Sequence, residues 1–98
     1  MQINKTKNES NLTLALSGRL DTNTAPLLEA ELGGNLDGVT DLVLDFANLE
    51  YISSAGLRVI LSAQKEMNAR GKMVIKNVCA DIIDVFDITG FSDILTIE

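Results

Sequence analysis

"TDLVLDFANLEYISSAGLRVIL", residues 40 to 61, passes from one apolar run through a polar stretch into a second apolar run of different period. In residues 40 to 46, Leu42, Val43 and Leu44 put apolar side chains on both faces of an extended chain. That predicts a central strand covered on both sides, with Asp45 near its C-terminal end. "ANLEYIS" reads as a loop. From Ser53 or Ser54 onward, Leu57, Ile60, Leu61 and Met67 fall on one helical stripe, leaving Arg58, Gln64, Lys65 and Glu66 for water. Arg70 then complements the negative end of the helix dipole, and Gly71 is placed as a C′ stop.

The same pattern extends outward in both directions. "KMVIKN" is a short strand, and residues 79 to 89 read as a helix with Ile82, Val85 and Phe86 inward, ended near Gly90. Its Asp81, Asp84 and Asp87 lack the alternating ligands and central glycine of a calcium loop, so they read as a solvated face. "DILTI" is expected to close the sheet as an edge strand. Toward the N-terminus, Leu12, Leu14 and Leu16 alternate with Thr13, Ala15 and Ser17. With Met1, Ile3 and the turn-like "KNESN" they form an antiparallel hairpin whose second strand ends at Gly18. In "GRLDTNTAPLLEAEL", Thr24 is the expected helix cap, because Pro26 then sits in the first turn. Leu28, Leu32 and Leu36 supply the buried face, and Gly33, Gly34 and Gly38 weaken the helix end.

The element order is therefore β-β-α-β-α-β-α-β, an α/β fold with at least a partly parallel sheet. In such sheets chemistry gathers at the carboxyl ends of the strands, so Asp21, Asp45 and Ser54 are expected to converge there.

The 98 residues fit one domain spanning 1–98, and 46% hydrophobic with 22% charged residues is an ordinary globular composition. Fourteen acidic against eight basic side chains give a formal charge of −6. That balance argues against direct nucleic-acid binding and against attraction to anionic membranes, while leaving room for a partner with a basic surface. No apolar run approaches a bilayer span, and "MQINKTKNES" has no signal-peptide core, so the expected location is cytoplasmic. Cys79 stands alone, which excludes an internal disulfide and reads as a small core hydrophobe. With no histidine, a zinc site or a histidine-based triad lacks its commonest component.

The two serines admit two readings. In the plain one, Ser53 or Ser54 caps the helix while Ala55 and Gly56 pack closely. In the functional one, a hydroxyl at the helix start is a point of regulated charge: phosphorylation adds close to two negative charges where the domain tolerates them. A partner docked over that point then meets a desolvation and steric penalty, and Gly56 keeps the approach uncrowded. Serine hydrolysis is a third, remote reading. "ISSAG" lacks the glycine pattern of a nucleophile elbow, and Lys65, Lys72 and Lys76 read as surface residues. No glycine-rich segment runs into Gly-Lys-Ser or Gly-Lys-Thr, so a non-enzymatic role is expected.

The full arrangement of "LSGRLDTNTAPLLEAEL", "LVLDFANLEYISSAGLRVIL", "GKMVIKNV" and "DVFDITGF" resembles the STAS domain family, in particular its single-domain bacterial anti-sigma factor antagonists. The resemblance implies a small mixed, mostly parallel sheet with helices packed mainly on one side. It also implies a switch protein that binds an anti-sigma factor, itself a serine kinase, and is switched off by phosphorylation of Ser54, less readily Ser53. ATP belongs to the partner kinase, this chain needs no cofactor or metal, and a metal-dependent serine phosphatase resets the switch. Where the family often carries aspartate before the phosphorylated serine, this chain has Ser53; where a second hydroxyl often follows, it has Ala55. The implied partner-binding set is Asp21, Thr22, Asn23, Ser53, Ser54, Ala55, Gly56 and Arg58. The alternative within the family is an adaptor subunit of a transporter or signalling complex that is never phosphorylated.

Overall fold

Leu12, Leu14 and Leu16 lie on one face of a strand, and all three are almost wholly removed from water. The computed structural model, which describes residues 1–98, builds the rest of the fold against that face. Strand β1 (Gln2–Asn8) turns back at Glu9 and Ser10 to pair antiparallel with β2 (Asn11–Leu20), setting Ile3 opposite Leu16. Helix α1 (Ala25–Asn35) crosses to β3 (Asp41–Ile52), and α2 (Ser54–Arg70) crosses to β4 (Lys72–Lys76); both new strands run parallel to their neighbours. Helix α3 (Ala80–Thr89) follows, ended by Gly90 in the left-handed conformation. The sheet order is β1-β2-β3-β4, with all three helices on one side.

Between sheet and helices lies one core. Leu28, Leu32 and Leu36 come from the α1 segment, Ile60, Ala63 and Met67 from α2, and Ile82 and Phe86 from α3. Phe86 meets Phe46 of β3 with ring centroids 6.4 Å apart. Truncating a phenylalanine so placed costs about 3–5 kcal/mol, a large share of the ~5–15 kcal/mol by which such domains are stable.

Several expectations are corrected. Strand β3 is central by order but covered on one face only: Leu42 and Leu44 are buried, while Val43, on the open face, is half-buried. "ANLEYIS" is not a loop; β3 continues through it to Ile52. The pairing with β2 shifts twice, between Ala15 and Ser17 and between Gly18 and Arg19, and each shift inserts one extra residue into β3. A strand that turns its side chains with period two therefore buries Phe46, Leu49 and Ile52 at spacing three. Gly18 does not end its strand. It holds φ +94° inside β2, beside the second bulge, a conformation that glycine adopts without steric cost.

"DILTI" forms no strand. After a 3₁₀ turn at Phe91–Asp93, Ile97 makes a single parallel bridge to Ile75, with Ile75 N–H donating to Thr96 C=O and Glu98 N–H to Ile75 C=O at 2.9 Å each. Cys79 is exposed at the start of α3, because Ile82 and Phe86 turn that helix's buried stripe away from it. Gln64 is buried rather than solvated, since it lies one turn after Ile60 on the inward stripe. Its Nε2 donates to Asn68 Oδ1 at 2.9 Å, and its Oε1 has no partner. Gly71 ends α2 as expected, with its N–H donating to Met67 C=O; a Cβ there would lie 2.0 Å from the Thr40 carbonyl oxygen.

Candidate functional site

Strand β4 stops at Lys76, opposite Asp45, and β1 accompanies β2 only as far as Ser17, so beyond that point only β2 and β3 continue, as a two-stranded ribbon from Gly18–Leu49 to Leu20–Ile52. Both of its strands feed into helices: α1 follows Leu20 after a short turn, and α2 follows Ile52. The Ser53 N–H donates to the Leu20 carbonyl at 2.9 Å, joining the two exits. Asp21 and Ser54 therefore converge as the sequence predicts.

Asp45 does not join them. From Asp45 to Ile52 the strand advances about 20 Å at ~3.3 Å per residue, and Asp45 lies on the open face of the sheet. Its Oδ1 accepts from Asn77 Nδ2 at 3.0 Å and from the Ala47 N–H at 2.9 Å, within the first bulge. The Asn77 amide, then the Ala47 N–H, hold its carboxyl below the usual aspartate range against partial desolvation, with Lys76 adding a smaller pull. Asp45 pins the end of the β3–β4 ladder.

At the start of α1 the polar side chains are consumed by structure. Asp21 N–H donates to Thr24 Oγ1 at 2.8 Å, while Asp21 Oδ1 accepts from Asn23 N–H at 3.0 Å and Thr24 N–H at 3.1 Å. Thr24 Oγ1 also donates to the Arg19 carbonyl at 2.7 Å. Thr24 stands at the cap position but already has helical dihedrals, and its hydroxyl caps no N–H of the helix that follows. Ala25 N–H donates to Asp21 C=O at 2.8 Å, and Asp21 Oδ1 takes the Asn23 and Thr24 N–H groups, so Asp21 closes the turn that leads into α1. Desolvation pushes the Asp21 carboxyl up, but the Thr24 and Asn23 N–H groups, the Thr24 hydroxyl and Arg19 together outweigh it and hold it low. Its outer oxygen faces Arg19 Nε at 3.9 Å, and Arg19 in turn lies 4.1 Å above the ring of Tyr51, its cross-strand partner. Thr22 and Asn23 project into solvent beside this box.

At the start of α2 the two serines divide their roles. Ser53 has extended dihedrals, and its Oγ accepts from the Gly56 N–H at 3.3 Å, a long capping bond. Ser54 is the first residue of the helix and is exposed. Ala55 is half-buried and Arg58 is exposed. Gly56 faces inward: a Cβ there would lie 2.7 Å from Leu20 Cγ and 3.0 Å from Ile52 Cγ1. Its small size serves the contact between α2 and the ribbon, which corrects the expectation that it keeps a partner's approach open.

A groove runs back from this end between α1 and α2. Its outer part, about 380 Å³, is lined by Thr22, Pro26 and Glu29 on one side and Ala55, Arg58 and Ser62 on the other. Arg19, Tyr51, Pro26 and Glu29 were not legible as site residues in the sequence, because the bulges of β3 and the α1–α2 contact bring them there. The arrangement offers an accessible hydroxyl and a shaped docking edge.

The STAS domain family profile matches residues 2–98. The chain belongs to the STAS domain family. BtrV of Bordetella bronchiseptica, assigned as an anti-sigma factor antagonist, is 36% identical over 99 residues, covering 99% of this chain and 85% of that protein. A protein of known structure, an anti-sigma factor antagonist from Mycobacterium paratuberculosis, superposes with a TM-score of 0.88 at 20% identity over 98% of this chain and 83% of its own. The Bacillus protein SpoIIAA matches in its unphosphorylated form with a TM-score of 0.79 and in its phosphorylated form with 0.78, at 19% identity over 99% of this chain and 87% and 91% of theirs. At that identity the solved structures establish the shared fold.

Proposed function

We propose that this chain is an anti-sigma factor antagonist that docks through the ribbon tip and the starts of α1 and α2, and that phosphorylation of Ser54 switches it off. The observation that carries this reading is the division between the serines: Ser53 makes the capping bond, and Ser54 stands exposed at the first helical position. A modification there leaves the cap and the Gly56 contact in place. The likeness to BtrV supports antagonism, and the SpoIIAA pair supports a fold compatible with both states of a phosphorylated relative.

The partner is an anti-sigma factor with serine-kinase activity, which holds ATP in its own site. Ser54 Oγ attacks the γ-phosphorus of that ATP, the bond to the ADP oxygen breaks, and the hydroxyl proton passes to a base of the kinase. The product carries close to two negative charges where the unmodified side chain was neutral, so a partner seated there meets steric conflict and desolvation. A serine phosphatase removes the phosphoryl group. Incubation with the cognate kinase and ATP, followed by mass-spectrometric mapping, is expected to place phosphate on Ser54; Ser54→Ala binds permanently and Ser54→Asp binds weakly. A phosphate confined to Ser53, or equal partner affinity before and after Ser54 is modified, would overturn the reading.

A further inference from the structure

We propose that phosphorylated Ser54 is held by Arg58 of the same chain, so that modification also withdraws that guanidinium from the groove between α1 and α2. The inference rests on the reading of Ser54 as the phosphoacceptor.

Residues 54 and 58 are one turn apart on α2, and both are exposed. Helical side chains lean toward the N-terminus, so Arg58 leans toward Ser54 rather than away from it. The acidic group at i and the basic group at i+4 is also the favourable order of such a pair. Arg58 is free to take part. Arg19 is engaged with Asp21 and stacked on Tyr51, and Arg70 is paired with Glu66 and Asp37 and bonded to the Leu36 carbonyl. No such ion pair holds Arg58.

Around the helix, Arg58 lies about 40° from Ser54 and about 60° from Ala55, at ~100° per residue. A rotamer change therefore carries the guanidinium between the phosphate and the groove wall that Arg58 shares with Ala55 and Ser62. Across that groove the competing anion is Glu29 of α1. Asp21, in the turn before α1, is occupied by Thr24, Asn23 and Arg19. A phosphate dianion with three acceptor oxygens takes an arginine fork in preference to a single distant carboxylate. In the unmodified protein Arg58 is available at the groove to an acidic group of the partner; in the modified protein it is not.

The test uses full-length protein with phosphoserine installed at position 54 during translation, so that no kinase is needed. The second phosphate pKa is followed by ³¹P NMR in the wild type, Arg58→Gln, Arg58→Lys and the control Lys65→Gln. The wild-type value is expected to lie about 0.15–0.4 unit below that of Arg58→Gln, with Arg58→Lys between them. Equal values in wild type and Arg58→Gln would overturn the pairing, and so would an equal rise in Lys65→Gln, which would reduce the effect to net charge. Partner affinity of the same proteins is a separate readout. If phosphorylated and unmodified wild type bind alike, the switch at Ser54 fails while the titration still decides the pair.

Discussion

Two helices start side by side at the tip of one ribbon, and they are built in opposite ways. At the start of α1, Asp21 and Thr24 exchange hydrogen bonds, and the aspartate takes two backbone donors and faces an arginine. At the start of α2 a single 3.3 Å bond from Gly56 N–H to Ser53 Oγ makes the cap, and the neighbouring hydroxyl is left exposed. The first start is a rigid fixture; the second rests on packing, with Gly56 pressed against Leu20 and Ile52. A surface that must change charge without disturbing its fold benefits from this contrast. The Ser54 hydroxyl, the proposed point of modification, belongs to no structural bond, while the elements on either side are fixed by other means.

The contrast is broken most severely at Gly56. Gly56→Ala forces a Cβ to within 2.7 Å of Leu20 Cγ, and overpacking of this kind costs about 1–3 kcal/mol. Urea denaturation should show the midpoint falling accordingly, and an unchanged midpoint would mean that α2 is not seated on the ribbon as described. Thr24→Val keeps the shape of the side chain but deletes its bonds to Asp21 N–H and Arg19 C=O, at about 1–2 kcal/mol. The urea midpoint should fall accordingly, and a binding titration of the same variant should show weaker partner affinity, because the Asp21 turn loses its anchor. Ser53→Ala should cost less, about 0.5–1 kcal/mol, since the cap it removes is long, and it should leave Ser54 a full kinase substrate. Loss of phosphorylation in Ser53→Ala would reverse the roles assigned to the two serines.

The smallest effect is the pH dependence. The Asp21 carboxyl is held below its unfolded value, so its contribution is complete above the ordinary aspartate range and is lost as pH falls through the folded value. The stability difference between wild type and Asp21→Asn should therefore shrink toward acid. Asp45 is depressed in the same sense, so the comparison needs Asp45→Asn as a second reference. A difference that grows on acidification would contradict the direction assigned to Asp21.

Much of the fold was legible because local period and burial agree. Leu12, Leu14 and Leu16 alternate on a regular strand, Leu28 and Leu32 repeat on a regular helix, and Gly90 stops α3 where its pattern stops. The reading failed where two elements decide together. The extra residues of β3 exist only relative to β2, so Leu49 and Ile52 looked like scattered apolar residues in a loop after a strand that ended at Phe46. Gln64 is buried by the direction in which α2 faces the sheet, and Cys79 is exposed by the rotation of α3; neither follows from residue type. At the site, the serines and Asp21 stood out as residues, but their tasks did not. Which serine caps, that Asp21 closes a box with Thr24, and that Gly56 faces inward all depend on the meeting of ribbon and helices. Arg19 and Tyr51 became neighbours only through the shifted register.

The most direct test of the account is a calorimetric titration of the anti-sigma kinase partner with unmodified protein and with protein fully phosphorylated on Ser54, each also melted by circular dichroism. The account predicts an affinity loss on the order of 100-fold with the melting transition preserved. Undiminished affinity of the phosphorylated protein, or a loss accompanied by collapse of the transition, would contradict it.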